Sequence, residues 1–131
     1  MLDINEFTKE VHQNAKDHGW WDKERSFGEI IALCHSELSE ALEEYRSGKP
    51  HLYCDAYITN ASCSGAGLFE LCTIDCFYDS RKPEGIAVEL ADCIIRILDY
   101  CGKEDIDVES ILKLKHEYNK TRPYKHGGKK I

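Results

Sequence analysis

Apolar and polar positions recur with helical period through four stretches of the chain, and each stretch is bracketed by residues that start and stop helices. Over about residues 3–17, Ile4, Phe7, Val11 and Ala15 fall at helical spacing, and Gly19 follows as a stop. The second stretch opens on a capping box, Ser26-x-x-Glu29, whose hydroxyl and carboxylate can reciprocally satisfy free backbone donors. It runs to about Ser47, where Gly48 and Pro50 end it. The third follows Pro83, covers about 84–101 and stops at Gly102, with Ile86, Leu90, Cys93, Ile94, Ile97 and Cys101 on one face. The fourth is capped by Asp107, carries Val108, Ile111, Leu112, Lys115 and Tyr118, and cannot pass Pro123.

Between the second and third helices lie about 36 residues, too many for an ordinary structureless connection. Alternation of Leu52, Cys54, Ala56 and Ile58 predicts a strand, and Ser64-Gly65-Ala66-Gly67 a turn into a second, giving a β-hairpin. Leu68, Leu71, Ile74 and Phe77, repeating every three residues, fit that strand poorly. The predicted fold is all-α, a single bundle-like four-helix domain over residues 1–131 with this insert at about 50–82. At 131 residues the chain can bury roughly two thirds of its unfolded surface, enough for one core without staples.

The acids on the second and third helices break the expected division between a greasy and a wet face. On the second helix Ile30, Cys34, Leu38, Ala41 and Tyr45 form the apolar stripe, Glu37 falls inside it, and Glu40 and Glu44 share its edge. On the third, Glu89, Asp92 and Arg96 lie together beside the apolar face. Val88, Ala91, Ile95 and Leu98 add a second apolar strip there, so the helix is greasy nearly all round, which in a small domain predicts burial between subunits and a homo-oligomer.

Charge is distributed unevenly as well. Residues 113–131 hold seven Lys or Arg against one acid, Glu117, so this end carries +6 and the rest of the chain −13 of the net −7. An acidic body repels a long polyanion, so the basic end suits the phosphates of a small ligand better than polymeric nucleic acid. No apolar run approaches the ~18 residues of a membrane span, and the start lacks a basic region followed by an apolar one, so the expected location is the cytoplasm. Seven cysteines, scattered and odd in number, read as free thiols packing as small hydrophobes. Cys54, Cys63, Cys72 and Cys76 admit a zinc reading, but their C-x8-C-x8-C-x3-C spacing lacks the paired C-x2-C knuckles of ordinary zinc sites.

Residues three apart on a helix are neighbours, so Glu37-x-x-Glu40 and Glu89-x-x-Asp92 each form a jaw of oxygen ligands. One such pair alone is most simply a salt-bridged or exposed helix edge. Two of them on separate apolar-edged helices, in a chain with a basic tail, crowd negative charges that must be compensated by protons or metal. Carboxylates without Cys or imidazole partners are hard donors suited to Mg²⁺ or Mn²⁺ rather than Zn²⁺, and the Glu-x-x-His pattern of di-iron bundles is absent. Such ions bridge polyphosphate oxygens and orient water for in-line attack, which makes phosphoryl chemistry the leading candidate.

The runs His35-Ser-Glu-Leu-Ser-Glu-Ala-Leu-Glu-Glu-Tyr-Arg46 and Pro83-Glu-Gly-Ile-Ala-Val-Glu-Leu-Ala-Asp-Cys-Ile-Ile-Arg-Ile-Leu-Asp-Tyr-Cys101, and the ending Glu117-Tyr-Asn-Lys-Thr-Arg-Pro-Tyr-Lys-His-Gly-Gly-Lys129, resemble the MazG-like nucleotide pyrophosphohydrolases. Asn14-Ala15-Lys16 and Gly19-Trp20-Trp21 extend the likeness to nearly everything except residues 50–82. The resemblance implies an all-α nucleoside triphosphate pyrophosphohydrolase that cleaves between the α and β phosphates with Mg²⁺ and acts in nucleotide-pool sanitation. Glu37, Glu40, Glu89 and Asp92 match the family's metal-binding acids. One of the acids, with Glu37, Glu40 and Glu44 the candidates on the second helix, positions the attacking water. The family's basic C-terminal pattern falls on Lys115, Asn119 and Arg122, with Tyr124 and Lys125 beyond, as phosphate or sugar contacts. Related helical subunits assemble as dimers or tetramers. The chain departs from the family in its longer, Cys-rich connection between the jaws.

Trp20 and Trp21 can stack on a base, although packing explains at least one of them equally well. His12, Asn14 and Lys16, one or two turns upstream, are candidates for the same pocket, each being taken alone an ordinary surface residue. His35 falls off the acidic edge, and His126 is too loosely placed in the tail to act in catalysis. The competing reading is a non-catalytic helical module binding a nucleotide or a protein partner, with the insert as its contact surface.

Overall fold

A computed structural model of the protein describes residues 1–54 and 81–125. The described residues form four helices, α1 (Ile4–Asp17), α2 (Phe27–Arg46), α3 (Ile86–Lys103) and α4 (Val108–Lys120), and two short strands, β1 (Tyr53–Cys54) and β2 (Pro83–Glu84). The fold is therefore all-α with a small β element. No helix among the described residues is long and apolar enough to cross a membrane.

Side-chain caps set the helix starts. Asp3 Oδ1 accepts from the backbone N–H of Asn5 and Glu6 at 3.0 and 3.1 Å, Ser26 Oγ from that of Glu29 at 3.1 Å, and Asp107 Oδ1 from that of Ser110 at 3.1 Å. The Glu29 carboxylate of the predicted capping box receives Arg25 Nη1 at 2.9 Å. Three helices end in one motif, a left-handed residue flanked by two backward hydrogen bonds. Gly19 and Gly48 supply that residue for α1 and α2, as the sequence predicts.

For α3 the predicted stop is corrected. Gly102 lies inside the helix, and the left-handed residue is Asp105, with φ 53°, whose N–H bonds Gly102 O at 3.3 Å while that of Ile106 bonds Cys101 O at 2.9 Å. Gly102 serves close packing instead: a Cβ there would sit 2.6 Å from His12 Cβ and 3.0 Å from Thr8 O on α1.

The chain divides into two compact units, residues 1–22 with 98–131 and residues 23–97, so α3 contributes to both. In the first, Val11, Leu98 and Val108 form the core, with Ile4, Phe7 and Cys101 packed against it. Asn5 ties α1 to α4, donating through Nδ2 to Asp107 Oδ1 at 2.9 Å and accepting from Glu109 N at 3.1 Å.

In the second unit α2 buries Ile30, Cys34, Glu37 and Ala41. Leu38 and Tyr45, predicted on the same stripe, are 47% and 71% exposed. The buried row steps by four, three and four residues and takes Glu37 where the sequence offered Leu38. Cys34, Cys54, Cys93 and Cys101 are free thiols, and Cys54 is wholly buried, packing as a small hydrophobe. Cys63, Cys72 and Cys76 lie outside the described residues, and with them the proposed zinc set.

The β element begins where alternation places it but has another partner. Tyr53 pairs with Glu84 and Cys54 with Pro83, antiparallel, so the clip joins the early part of the connection after α2 to Pro83–Glu84, one residue short of α3. The predicted strand beyond Cys54 and the Ser64–Gly67 turn fall outside the described residues. Gly85 makes this clip possible: its φ is 117°, and a Cβ would collide with the carbonyl of His51, which accepts the Ala87 N–H at 3.0 Å.

Candidate functional site

Helix spacing and the β clip bring six carboxylates into one row within the second unit. Glu37, Glu89 and Asp92 each offer an oxygen with all three within 4.8 Å of one another, and Glu44, Glu84 and Glu89 meet the same limit. Glu89 belongs to both groups. It is 9% exposed and Glu37 7%, so two acids are removed from water on the buried faces of α2 and α3, while Asp92 is the most accessible of its group. Of the four acids predicted as metal ligands, three therefore converge directly, and Glu40, on the exposed side, joins through a side-chain hydrogen bond to Glu89. Glu44, predicted beside the first jaw, belongs to the second group.

Two of these acids have ion pairs at short range. Arg96 Nε donates to Glu37 Oε1 at 2.5 Å, and Lys82 Nζ lies 2.8 Å from Glu84 Oε1. Burial first, and then the charge and hydrogen bond of Glu40 and the charges of Asp92 and Glu37, push the Glu89 carboxyl up to about 7. Asp92 is raised for the same reasons, burial and then Glu37, partly opposed by Arg96. A carboxyl hydrogen-bonded to another carboxyl must share a proton with it or find a cation. Burial and the adjacent Glu44 hold the Tyr53 hydroxyl far above its usual range, so it stays protonated and donates to Glu44 Oε2 at 2.8 Å.

Sequence reasoning missed Glu84 and Tyr53. Neither lies on a helical face, and only the pairing of β1 with β2 places them beside Glu44. The Cys34 thiol is raised by burial and is inert packing at neutral pH.

The predicted substrate contacts all belong to the first unit. His12 Nδ1 lies 2.8 Å from Asp99 Oδ1, and Trp21 Nε1 donates to Asp99 Oδ1 and Oδ2 at 2.9 and 3.2 Å. The two rings meet edge to face at 5.8 Å, and Lys103 Nζ sits 5.4 Å from the Trp21 ring centre. Asp99, 7% exposed, organises this cluster and was also missed, because in sequence it is one polar interruption of the apolar third helix. The structure thus joins His12 to Trp21. Trp20 is partly buried, whereas Asn14 and Lys16 are exposed. Lys115 lies over the Tyr118 ring at 4.9 Å and Lys125 over that of Tyr124 at 5.6 Å. Tyr124 is 88% exposed, Asn119 is exposed, and Arg122 is half-buried, its backbone N–H bonding Asn119 O at 3.2 Å. His126 lies outside the described residues.

No protein-family model matches the chain, and neither a curated protein nor a solved structure matches it. The chemistry of the acidic row therefore bears the functional argument. Every donor in it is a carboxylate oxygen, two of the donors are desolvated, and one of these two, Glu89, is pushed up to about 7 by burial and its acidic neighbours. That donor set fits a hard divalent ion, Mg²⁺ or Mn²⁺, at Glu37, Glu89 and Asp92.

Proposed function

We propose that the chain is a Mg²⁺-dependent nucleoside triphosphate pyrophosphohydrolase, with Mn²⁺ as an alternative ion, acting in nucleotide-pool sanitation. The observation that carries this is the buried Glu89 carboxyl, shared by two acidic triplets and with no ion pair of its own among the described residues. Glu37, Glu89 and Asp92 hold the metal, with Glu40 supporting Glu89. When bound, the ion neutralises polyphosphate oxygens and the charge that develops at phosphorus. A carboxylate of the row takes the proton of the attacking water. The likeness of the two acidic runs and the basic ending to the MazG-like enzymes directs cleavage to the α–β bond, releasing a nucleoside monophosphate and pyrophosphate. The test is a panel of ribo- and deoxynucleoside triphosphates incubated with Mg²⁺. Pyrophosphate and the monophosphate are expected in equal amounts. Orthophosphate as the sole inorganic product rejects the assignment, and no product from any triphosphate leaves the non-catalytic binding module standing.

The protein further acts as a homo-oligomer, a dimer or tetramer. Within the second unit Ile31, Leu38, Leu42 and Tyr45 of α2 and Leu90, Ile94 and Ile97 of α3 are between 37% and 71% exposed, more apolar surface than one small unit ordinarily leaves in water. Sedimentation should give at least twice the mass of one chain, and Leu38→Glu with Ile94→Glu should halve it. A parent protein that sediments as a monomer at all concentrations removes this part.

A further inference from the structure

Glu44 differs from its neighbours in the kind of partner it has. Arg96 pairs with Glu37, Lys82 pairs with Glu84, and Glu40 and Glu89 hydrogen-bond to each other. Glu44 accepts instead from a neutral group, the hydroxyl of Tyr53, whose side chain is almost wholly buried. Tyr53 stands opposite Glu84 in the β clip, so the clip presents the hydroxyl and the Glu84 carboxylate together. Lys49 approaches the ring at 5.8 Å from its centre. A buried neutral donor fixes one carboxylate oxygen without cancelling its charge and leaves the second oxygen as a base. It also freezes a side chain that otherwise has three rotatable bonds, which is how a supporting residue pre-organises a catalytic one.

We propose that Tyr53 is a positioning residue: by donating to Glu44 Oε2 it holds Glu44 as the carboxylate that orients and deprotonates the attacking water. This rests on the pyrophosphohydrolase reading above. The water oxygen forms a bond to the α-phosphorus and its proton passes to Glu44. The bond from the α-phosphorus to the bridging oxygen breaks, that oxygen keeps the electron pair, and it departs in pyrophosphate. Glu44 then returns its proton to solvent.

The experiment compares the parent chain, Tyr53→Phe, Glu44→Asp and the double variant. Tyr53→Phe keeps the packed ring and removes the donor, while Glu44→Asp withdraws the carboxylate by one methylene. Pyrophosphate release is measured at saturating Mg²⁺, and calorimetry measures binding of the α,β-methylene analogue of whichever triphosphate the parent turns over fastest. Each single variant should lose kcat about tenfold or more, the scale of a misplaced general base. KM and analogue affinity should stay within about twofold, because the contact acts on the water and not on ground-state binding. The double variant should be no slower than Glu44→Asp alone, since Tyr53 acts through Glu44, whereas a purely structural role gives losses that multiply. Unchanged kcat in Tyr53→Phe, or multiplying losses, overturns the proposal. Should Tyr53→Phe not fold, Glu44→Asp decides it, and an unchanged kcat there overturns it equally. A parent chain that releases no pyrophosphate fails the hydrolase reading and this inference with it; an active parent with multiplying losses removes only the role of Tyr53.

Discussion

Asp92→Asn and Glu37→Gln should each lower kcat/KM by at least about a thousandfold at saturating Mg²⁺, roughly 4 kcal/mol of transition-state stabilisation. Each change removes one charged oxygen from the three that converge within 4.8 Å, and a neutral amide oxygen is a weaker donor to a divalent ion. The two differ in what they leave behind. Glu37→Gln also breaks the Arg96–Glu37 ion pair, whereas Asp92→Asn removes a charge already disfavoured by burial and by Glu37. Asp92→Asn should therefore be at least as stable as the parent without metal, and Glu37→Gln somewhat less stable. Steady-state kinetics with circular dichroism and denaturant unfolding on the same preparations check both claims. Retention of turnover within tenfold by both variants would remove Glu37 and Asp92 from the reaction.

How far the sequence could be read depends on whether a feature is local. The caps at Asp107 and Ser26 and the left-handed ends at Gly19 and Gly48 were legible because each needs only a few consecutive residues. Glu37 was legible inside the apolar arc of α2 from helical period, while Glu89 was legible only as an acid beside the apolar face of α3, which the structure buries. Gly102 misled for a physical reason: glycine stops helices and also lets helices approach, and only the nearness of His12 and Thr8 tells which. Leu38 misled because two candidate stripes overlap on α2, and the choice between Leu38 and Glu37 belongs to what packs against them. Glu84, Tyr53 and Asp99 were invisible because their importance comes from pairing across long stretches of chain, Tyr53 with Glu84 and Asp99 with His12 and Trp21. The α–β bond in the proposed reaction comes only from the resemblance to the MazG-like enzymes, and no geometry of the acids contains it.

The buried Glu89 makes the apo protein less stable as the solution becomes more alkaline, the reverse of ordinary acid denaturation. Its carboxyl titrates at about 4.5 in an unfolded chain and near 7 in the folded one, so between these values the folded state binds more protons. Stability therefore falls as pH rises. The contribution is fully present below about pH 4.5 and is lost through pH 7, a change of about 2–3 kcal/mol. Asp107, lowered to about 2 by hydrogen bonds from Ser110 and Asn5, acts in the opposite direction only at much lower pH, so it leaves the window from 5 to 8 undisturbed. With divalent ions chelated, the midpoint of urea unfolding should move downward across that window, and Glu89→Gln should flatten the slope and be the more stable protein at pH 8. Adding Mg²⁺ at pH 8 to a hundred times its dissociation constant should return about 2.7 kcal/mol to the parent. The same addition should return little to Glu89→Gln, because the charge that demanded the ion is gone. A parent whose stability is flat or rises from pH 5 to 8 without metal, or a Glu89→Gln variant that gains as much from Mg²⁺ as the parent, contradicts the placement of a buried carboxyl, crowded by other acids, at the centre of the row.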